Sequence, residues 1–478
     1  MVGIEEQIHR HVCLSPERPA LVDASTGVTI TYGELWHSIE SAAAWFRGHD
    51  IGQGKCVLLA ASKEPLFVAV YFGAHMAGVT TVAIDPESNP ERLERILSVA
   101  HPECVIGTLR HGGALKALRF EEIKSDPLPN LRFPQPDAPV DILFTTGTTG
   151  VPKGVVLSAR NEMAAARGIN EFIGNTADDV ELLALPISHS FGLGRIRCVL
   201  SKGGCLVLLG SFASMKRFYG AIEDYGVNGF GMVPASWAYV TKMSGDRIGC
   251  YAGQLRYIEI GSAPMAPEEK HRLMSLLPDT RICMHYGLTE ASRSTFISFH
   301  DEVARLDTAG RATPGTEVAI FSPDGVRLGA DTEGEVCVAG EHVCAGYIPK
   351  DDYHKDFFGR WFRTGDWGAL SADGYLLLKG RSKEMINVGG KKVNPTEVEN
   401  LILAMGGVKD CACIGQPDPV LGEVVAACIV ADESVALEDV TASLSGQLEN
   451  YKMPRMVVMV PEIPRTSSGK IQRQKLKS

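Results

Sequence analysis

Apolar residues in this chain follow two spacings that alternate along its length. Short runs rich in Val, Leu, Ile and Ala, such as Cys56 to Ala61 and Val79 to Ile84, are separated by stretches where apolar positions return every three or four residues: Tyr32 to Phe46, the segment opening at Pro65, and Pro90 to Ala100. The runs read as buried strands and the periodic stretches as helices, and their alternation predicts parallel βαβ units in a doubly wound sheet. Residues 1 to about 140 are expected to form one such layer, ending in the loose, Pro-rich Asp126 to Pro139. The longest apolar stretch, Leu66 to Ile84, carries His75 and two glycines and turns β-branched partway. It reads as a buried helix feeding a core strand and not as a membrane span.

The alternation resumes with helices over Arg160 to Phe172, after Phe191, over Met215 to Tyr225 and over Ser236 to Met243, and with strands over Val180 to Leu185, Cys205 to Leu209, up to Val233, and Leu255 to Ile260. This predicts a second βα layer. From Asp307 to Asp373 short strands joined by Gly-rich turns predict a small β subdomain. Beyond Arg381 a helix (Thr396 to Ala404), strands (Cys411 to Gly415, Val424 to Ala431), a helix (Leu437 to Asn450) and a last strand (Met456 to Val460) predict an α+β unit. The expected fold is α/β: a large N-terminal domain over residues 1–380, made of two doubly wound βα layers plus the β subdomain, and a smaller, mobile α+β domain over 381–478.

Composition narrows the function classes. A chain of 478 residues exceeds a single core, and 45% hydrophobic with 22% charged residues is the balance of a globular protein. A net charge of −10 argues against nucleic-acid or anionic-membrane partners, which need a basic footprint. The opening Met-Val-Gly-Ile-Glu-Glu lacks the basic-then-apolar order of a secretory leader, so a cytoplasmic location is expected. Twelve cysteines show no C-x-x-C pair, and Cys411 and Cys413 share one face of a strand. They are expected to be free core thiols.

Candidate chemistry centres on Phe144-Thr145-Thr146-Gly147-Thr148-Thr149-Gly150-Val151-Pro152-Lys153-Gly154, set between the apolar runs Ile142 to Phe144 and Val155 to Leu157. Glycines and hydroxyls let backbone N–H groups approach an anion, and Lys153 supplies counter-charge, so the loop reads as a phosphate cradle. It is not a Walker A loop, which requires Ser or Thr after the lysine to hold magnesium. A metal travelling with a nucleotide would need a carboxylate from elsewhere. Further polar turns follow apolar strands, where α/β sheets bind ligands: Pro186-Ile187-Ser188-His189-Ser190-Phe191-Gly192, Gly261-Ser262-Ala263-Pro264, and Tyr286-Gly287-Leu288-Thr289-Glu290. Arg363-Thr364-Gly365-Asp366 offers an acid after a tight turn, suited to a ribose diol. Gly380-Arg381-Ser382-Lys383 opens the last unit, Gly389 and Gly390 follow, and Lys470 sits on a Ser/Gly loop near the C-terminus.

In this order and spacing the chain resembles the adenylate-forming superfamily of acyl-CoA synthetases, peptide-synthetase adenylation domains and firefly-type luciferases. The resemblance implies that Thr145, Thr146, Gly147, Thr148, Thr149, Gly150 and Lys153 embrace the phosphates of ATP. It implies an adenine slot at Gly261, Ser262, Ala263, Pro264, Tyr286 and Gly287, with Asp366 and Arg381 on the ribose. Thr289 would contact the α-phosphate region and Glu290 would hold Mg2+. Lys470 would reach the substrate carboxylate and the α-phosphate, with His189 on the acid side. Lys383 would be the hinge about which the small domain turns, withdrawing Lys470 and bringing Gly389 and Gly390 to a thiol tunnel.

Peptide-synthetase domains pair an amino-acid ammonium with an Asp in the segment matching His189 to Gly194, which here has no carboxylate. An uncharged acyl or aryl acid is expected, because a buried ammonium without a partner is costly. Its pocket wall is expected among Phe191, Gly192, Leu193, Gly231, Met232, Val233, Gly261 and Met284. The acceptor implied is the thiol of coenzyme A, with a carrier-protein phosphopantetheine arm as the alternative, hence an acyl carrier protein as partner. The inserted segment of fatty acyl-AMP ligases, which reject coenzyme A, is missing. A luciferase-like oxygenase and a non-catalytic nucleotide-binding homologue complete the readings, acting as monomer or homodimer.

Overall fold

The computed structural model describes residues 2–110, 117–127, 132–145, 153–349, 353–381, 384–465 and 471–476. The protein is mixed α/β, with a large N-terminal and a smaller C-terminal part. It packs as two compact units, residues 1–318, 338–362 and 373–376, and residues 319–337, 363–372 and 377–478.

The first unit holds two large sheets. One runs in the order Arg311–Ala312, Thr295–Ser298, Arg281–Tyr286, Tyr257–Ile260, Gly229–Met232, Val180–Leu183, Cys205–Leu208, Pro19–Asp23, Thr29–Thr31. Its middle strands are parallel and its edges antiparallel. The other runs in the order Gly346–Ile348, Lys153–Ser158, Pro139–Thr145, Thr80–Ile84, Cys56–Ala60, Val105–Ile106, Ala117–Leu118.

Most helices fall where the periodicity predicts them, among them Tyr32–Gly48, Pro65–Ala77, Pro90–Ala100 and Met215–Tyr225. The layer boundary does not. Pro19–Asp23, together with Thr29–Thr31, leaves the strands Cys56–Ala60 and Thr80–Ile84 that follow, and Leu21 pairs in parallel with Leu206. Conversely, the hairpin of Pro139–Thr145 and Lys153–Ser158 joins the sheet of Thr80–Ile84. Ala20, Leu21 and Val22 are all buried, so the run fits the middle of either sheet and its composition does not name a partner. Two helices that the spacing left unmarked, Ile4–Leu14 and Pro267–Leu276, are rich in charged residues and bury few side chains. Leu437–Leu444 stops short of the expected Asn450, just before Gly446 at a φ of 79°.

The helix Ser190–Ser201 is buried from Phe191 onward. Arg195 binds Glu181 and Glu259 of one sheet, while Arg197 binds Asp141 of the other. Positions two apart on a helix diverge by about 200°, so this helix addresses both sheets with opposite faces.

In the second unit, Val408–Asp418 and Gly422–Ala431 form a long antiparallel hairpin, flanked by Ile386–Val388 and Met456–Met459. Val398, Ile402, Val440 and Leu444 from its two helices pack with Cys411 and Cys413 in one core. None of the twelve cysteines is in a disulfide, and Cys13 and Cys250 are exposed, outside the core where they were expected. Among the described residues no helix is long and apolar enough to cross a membrane.

Candidate active site

The site grows from strand ends. Parallel strands carry their following turns to one edge, and there Ile260 pairs with Met284, setting Gly261 beside His285. The fit is close: a Cβ on Gly261 would lie 2.1 Å from the imidazole of His285, so only glycine permits this approach. Ser262 takes a left-handed φ of 74°, and Ser262, Ala263 and Pro264 are exposed. His189 is exposed at the start of Ser190–Ser201, and its own side chain does not cap that helix. Phe191 from that helix packs edge-on against His285 at 4.7 Å between ring centres. Three of the turns singled out in the sequence therefore converge.

The fourth piece is the hairpin expected to cradle phosphates. Thr145 ends one strand opposite Lys153, which opens the next, and its hydroxyl donates to the Lys153 carbonyl at 3.4 Å. The ammonium of Lys153 stands 3.4 Å above the Tyr347 ring and 3.5 Å from Asp356. Thr146, Gly147, Thr148, Thr149 and Gly150 lie outside the described residues. A short crossing segment joins this hairpin to the acid turn: Cys344 N–H donates to the Glu290 carbonyl at 2.8 Å, Val343 bridges Ala291, and Gly346 pairs with Val156. Tyr286, Gly287, Thr289 and Glu290 are all half-buried in this turn. The structure thus gathers Thr145, Lys153, His189, Gly261 to Pro264 and Tyr286 to Glu290 within the first unit.

The second unit brings together another pair. Arg381 Nε sits 2.9 Å from Asp366 Oδ1, and its Nη1 donates to the Thr364 carbonyl at 3.1 Å. Gly389 and Gly390, at φ of 59° and 84°, form the two-residue turn between Ile386–Val388 and Lys391–Val393, a conformation that favours glycine at both positions. Lys383 and Lys470 lie outside the described residues. Their flanks are anchored: Arg465 pairs with Ile471 and holds Asp410 at 2.8 Å, and Arg473 binds Glu399 at 2.7 Å and Glu384 at 3.0 Å.

Sequence reasoning passed over a cluster directly behind the strand ends. Glu259 is fully buried in Tyr257–Ile260, with Arg195 Nη1 at 3.0 Å, Arg293 Nε at 3.0 Å and His285 Nδ1 at 2.7 Å. Arg293 also donates to the carbonyls of Ser190 and Phe191, both at 3.0 Å, so it grips the first turn of the helix after His189. Burial works against the charge on Glu259, but Arg293 and Arg195 hold it well below the usual carboxylate range. Burial pulls His285 below the ordinary histidine value against the opposing pull of Glu259, so its ring is neutral. The available signal was a lone acid in the otherwise apolar strand Tyr257–Ile260.

Among the described residues no group of three or more His, Cys, Asp or Glu side chains forms a metal cage. A single carboxylate such as Glu290 instead fits a magnesium ion that completes its shell with nucleotide phosphates and water.

The family model for AMP-binding enzymes matches residues 8–348, and that for the AMP-binding enzyme C-terminal domain matches 397–470. The chain is 30% identical to a long-chain-fatty-acid–CoA ligase of Mycobacterium tuberculosis, over 98% of this chain and 97% of that protein. It is also 30% identical to a sulfoacetate–CoA ligase of Cupriavidus necator, over 96% and 94%. The crystal structure of ATP-bound MatB from Rhodopseudomonas palustris superposes with a TM-score of 0.87 at 25% identity, covering 99% of this chain and 98% of that one. The chain belongs to the AMP-binding enzyme family, as an acyl-CoA synthetase of the adenylate-forming superfamily.

Proposed function

We propose that this protein uses ATP to activate a carboxylic acid as its acyl-adenylate, releasing pyrophosphate, and then passes the acyl group to the thiol of coenzyme A. The observation that carries this reading is the backbone linkage of Glu290 through residues 343–348 to the Lys153 hairpin, which brings the Tyr286 to Glu290 turn and that hairpin together in one unit. The named activities of the relatives, all coenzyme A ligases, and the ATP bound by the structural neighbour support it.

In the first step a substrate carboxylate oxygen bonds to the α-phosphorus and the bond to the β-phosphate bridge breaks. Two anions meet, so the protein acts mainly by positioning and by stabilising charge. Thr145 to Lys153 hold the phosphates, and Thr289 the α-phosphate region. Gly261, Ser262, Ala263, Pro264, Tyr286 and Gly287 hold adenine, while Asp366 and Arg381 hold ribose. Mg2+, carried by the nucleotide and held by Glu290, would supply charge neutralisation. Lys470 spans the substrate carboxylate and the α-phosphate, and His189 faces the acid. In the second step the thiol sulfur bonds to the acyl carbon and AMP leaves. A turn of residues 381–478 about Lys383 exchanges Lys470 for the Gly389-Gly390 loop between the steps.

The acid carries no ammonium next to its carboxylate, because the segment from Ser190 to Gly194 offers it no counter-charge. The test is acid-dependent formation of AMP and of a thioester, with coenzyme A and a phosphopantetheinylated carrier protein offered separately. Thioester on coenzyme A supports the reading, and thioester on the carrier alone moves the acceptor to an acyl carrier protein. Lys383→Pro is expected to spare adenylate formation and block thioester formation; equal loss of both would remove the hinge role.

A further inference from the structure

His285 stands where three strand-end turns meet, yet nothing in the adenylation chemistry requires a ring there. Its surroundings define it closely. The Nδ1 edge lies 2.7 Å from Glu259, off the straight line of a hydrogen bond. Phe191 and Phe296 pack edge-on against the ring at 4.7 and 5.7 Å. The Cε1–Nε2 edge, opposite Glu259, lies over the α-carbon of Gly261, at the root of the exposed Ser262 to Pro264 turn. One edge of the imidazole therefore looks back into the buried charge cluster and the other looks out to the mouth of the site.

The cluster also decides where the proton sits. Glu259 is ionised between two guanidiniums, so the ring nitrogen beside it carries the hydrogen. In a neutral ring the other nitrogen, Nε2, is then a hydrogen-bond acceptor. The side chain is only 7% exposed, so that acceptor faces little competing water. Nδ1, not Nε2, is the ring nitrogen buried without a partner, so Nε2 keeps the small exposure the ring has and can take a donor that a ligand brings.

We propose that His285 is a specificity-determining residue, held by Glu259 so that Nε2 accepts a hydrogen bond from a hydroxyl on the acid being activated. The inference rests on the adenylation reading above. The enzyme would take hydroxylated acids in preference to the plain hydrocarbon acids of the same skeleton. Arg293 and Arg195, with Glu259 the charged groups facing His285, oppose its protonation and keep the acceptor in place at neutral pH.

The test compares pairs of acids matched in skeleton, one hydroxylated and one plain, in ATP–pyrophosphate exchange. The wild type is expected to favour the hydroxylated member by about 10-fold or more in kcat/KM, the ratio one buried hydrogen bond supports. In His285→Phe, which keeps a ring without an acceptor, the ratio should fall towards one, and His285→Gln should restore part of it. If these variants fail to fold, the pH profile of the wild-type ratio serves. It should hold above the ordinary histidine value of 6.5 and fall in more acidic solution as Nε2 gains a proton. Equal use of both members, or a ratio unchanged by the substitutions and by pH, overturns the proposal while leaving adenylation standing. No exchange with any acid removes the adenylation reading and this inference with it.

Discussion

Two buried charge clusters lie on opposite faces of the helix Ser190–Ser201, and they balance their charges differently. Around Arg195 there are two guanidiniums, Arg195 and Arg293, against two carboxylates, Glu181 and Glu259. Tyr257 and Asn175 add further hydrogen bonds. Around Arg197 there are three carboxylates, Asp141, Glu162 and Glu5, against Arg197 and His75. Glu162 Oε1 is buried without a partner, and Glu162 lines a cavity of about 10 Å³, room for about one water.

The placement differs as well. The balanced cluster backs the strand ends at Gly261 and His285. The unbalanced one sits at the root of the Lys153 hairpin, with Asp141 in its first strand and Glu162 in the helix after it. Charge balance sets the direction in which each cluster responds to pH. Burial raises Glu162 to about 7, above its ordinary 4.5, so its contribution is complete below 4.5 and lost as pH rises through 7. Burial opposes the charge on His75, but Asp141 and Glu5 raise it to about 9, so its contribution is present below 6.5 and lost as pH rises through 9. Glu259 responds the opposite way, stabilising above 4.5 and losing that as pH falls through its depressed value. His285, buried neutral, likewise costs stability as pH falls below 6.5. The Arg195 side weakens in acid, and the Arg197 side weakens in base through Glu162 and His75. Asp141, which burial pushes up but His75 and Arg197 hold at about 2, stabilises above 3.8 and loses that only in strong acid.

The comparison can be broken by removing one cation at a time. Arg195→Met leaves Glu181 and Glu259 buried with half their counter-charge, and denaturant unfolding at pH 7 should show a loss of about 3–5 kcal/mol. Arg197→Met should cost less, about 2–3 kcal/mol, because Glu162 can stay protonated in the emptied cluster. A larger loss for Arg197→Met than for Arg195→Met would contradict the charge accounting. Glu162→Gln sharpens the contrast: the fall in Tm of the wild type between pH 5 and pH 8 should be shallower in the variant. An unchanged slope would assign that pH dependence elsewhere. At the small end, Arg10→Gln breaks the exposed pair with Glu6, and its cost should stay below about 0.5 kcal/mol.

Much of the fold was legible because strand and helix spacings are local. Pro90–Ala100 and Met215–Tyr225 begin and end where their apolar period does. What spacing could not supply is the identity of partners, as the sheet change of Pro19–Asp23 shows. The motif turns were legible as polar or glycine-rich interruptions after apolar runs, and Asp366 and Arg381, both set on the ribose by the resemblance, meet in an ion pair. Glu259 and Arg195 were not paired by any local rule, since their bond spans 64 positions. His285 precedes the Tyr286 turn and follows no period, so its role emerges only once Gly261 lies beneath it.

The central claim is that this chain joins an acid to the α-phosphate of ATP, and isotope exchange between pyrophosphate and ATP reads that step directly. Label should enter ATP only when a carboxylic acid accepted by the site is present, and Lys470→Ala should lower the rate by roughly 10²–10³-fold. Exchange that proceeds without acid, or at the same rate in Lys470→Ala, would contradict it.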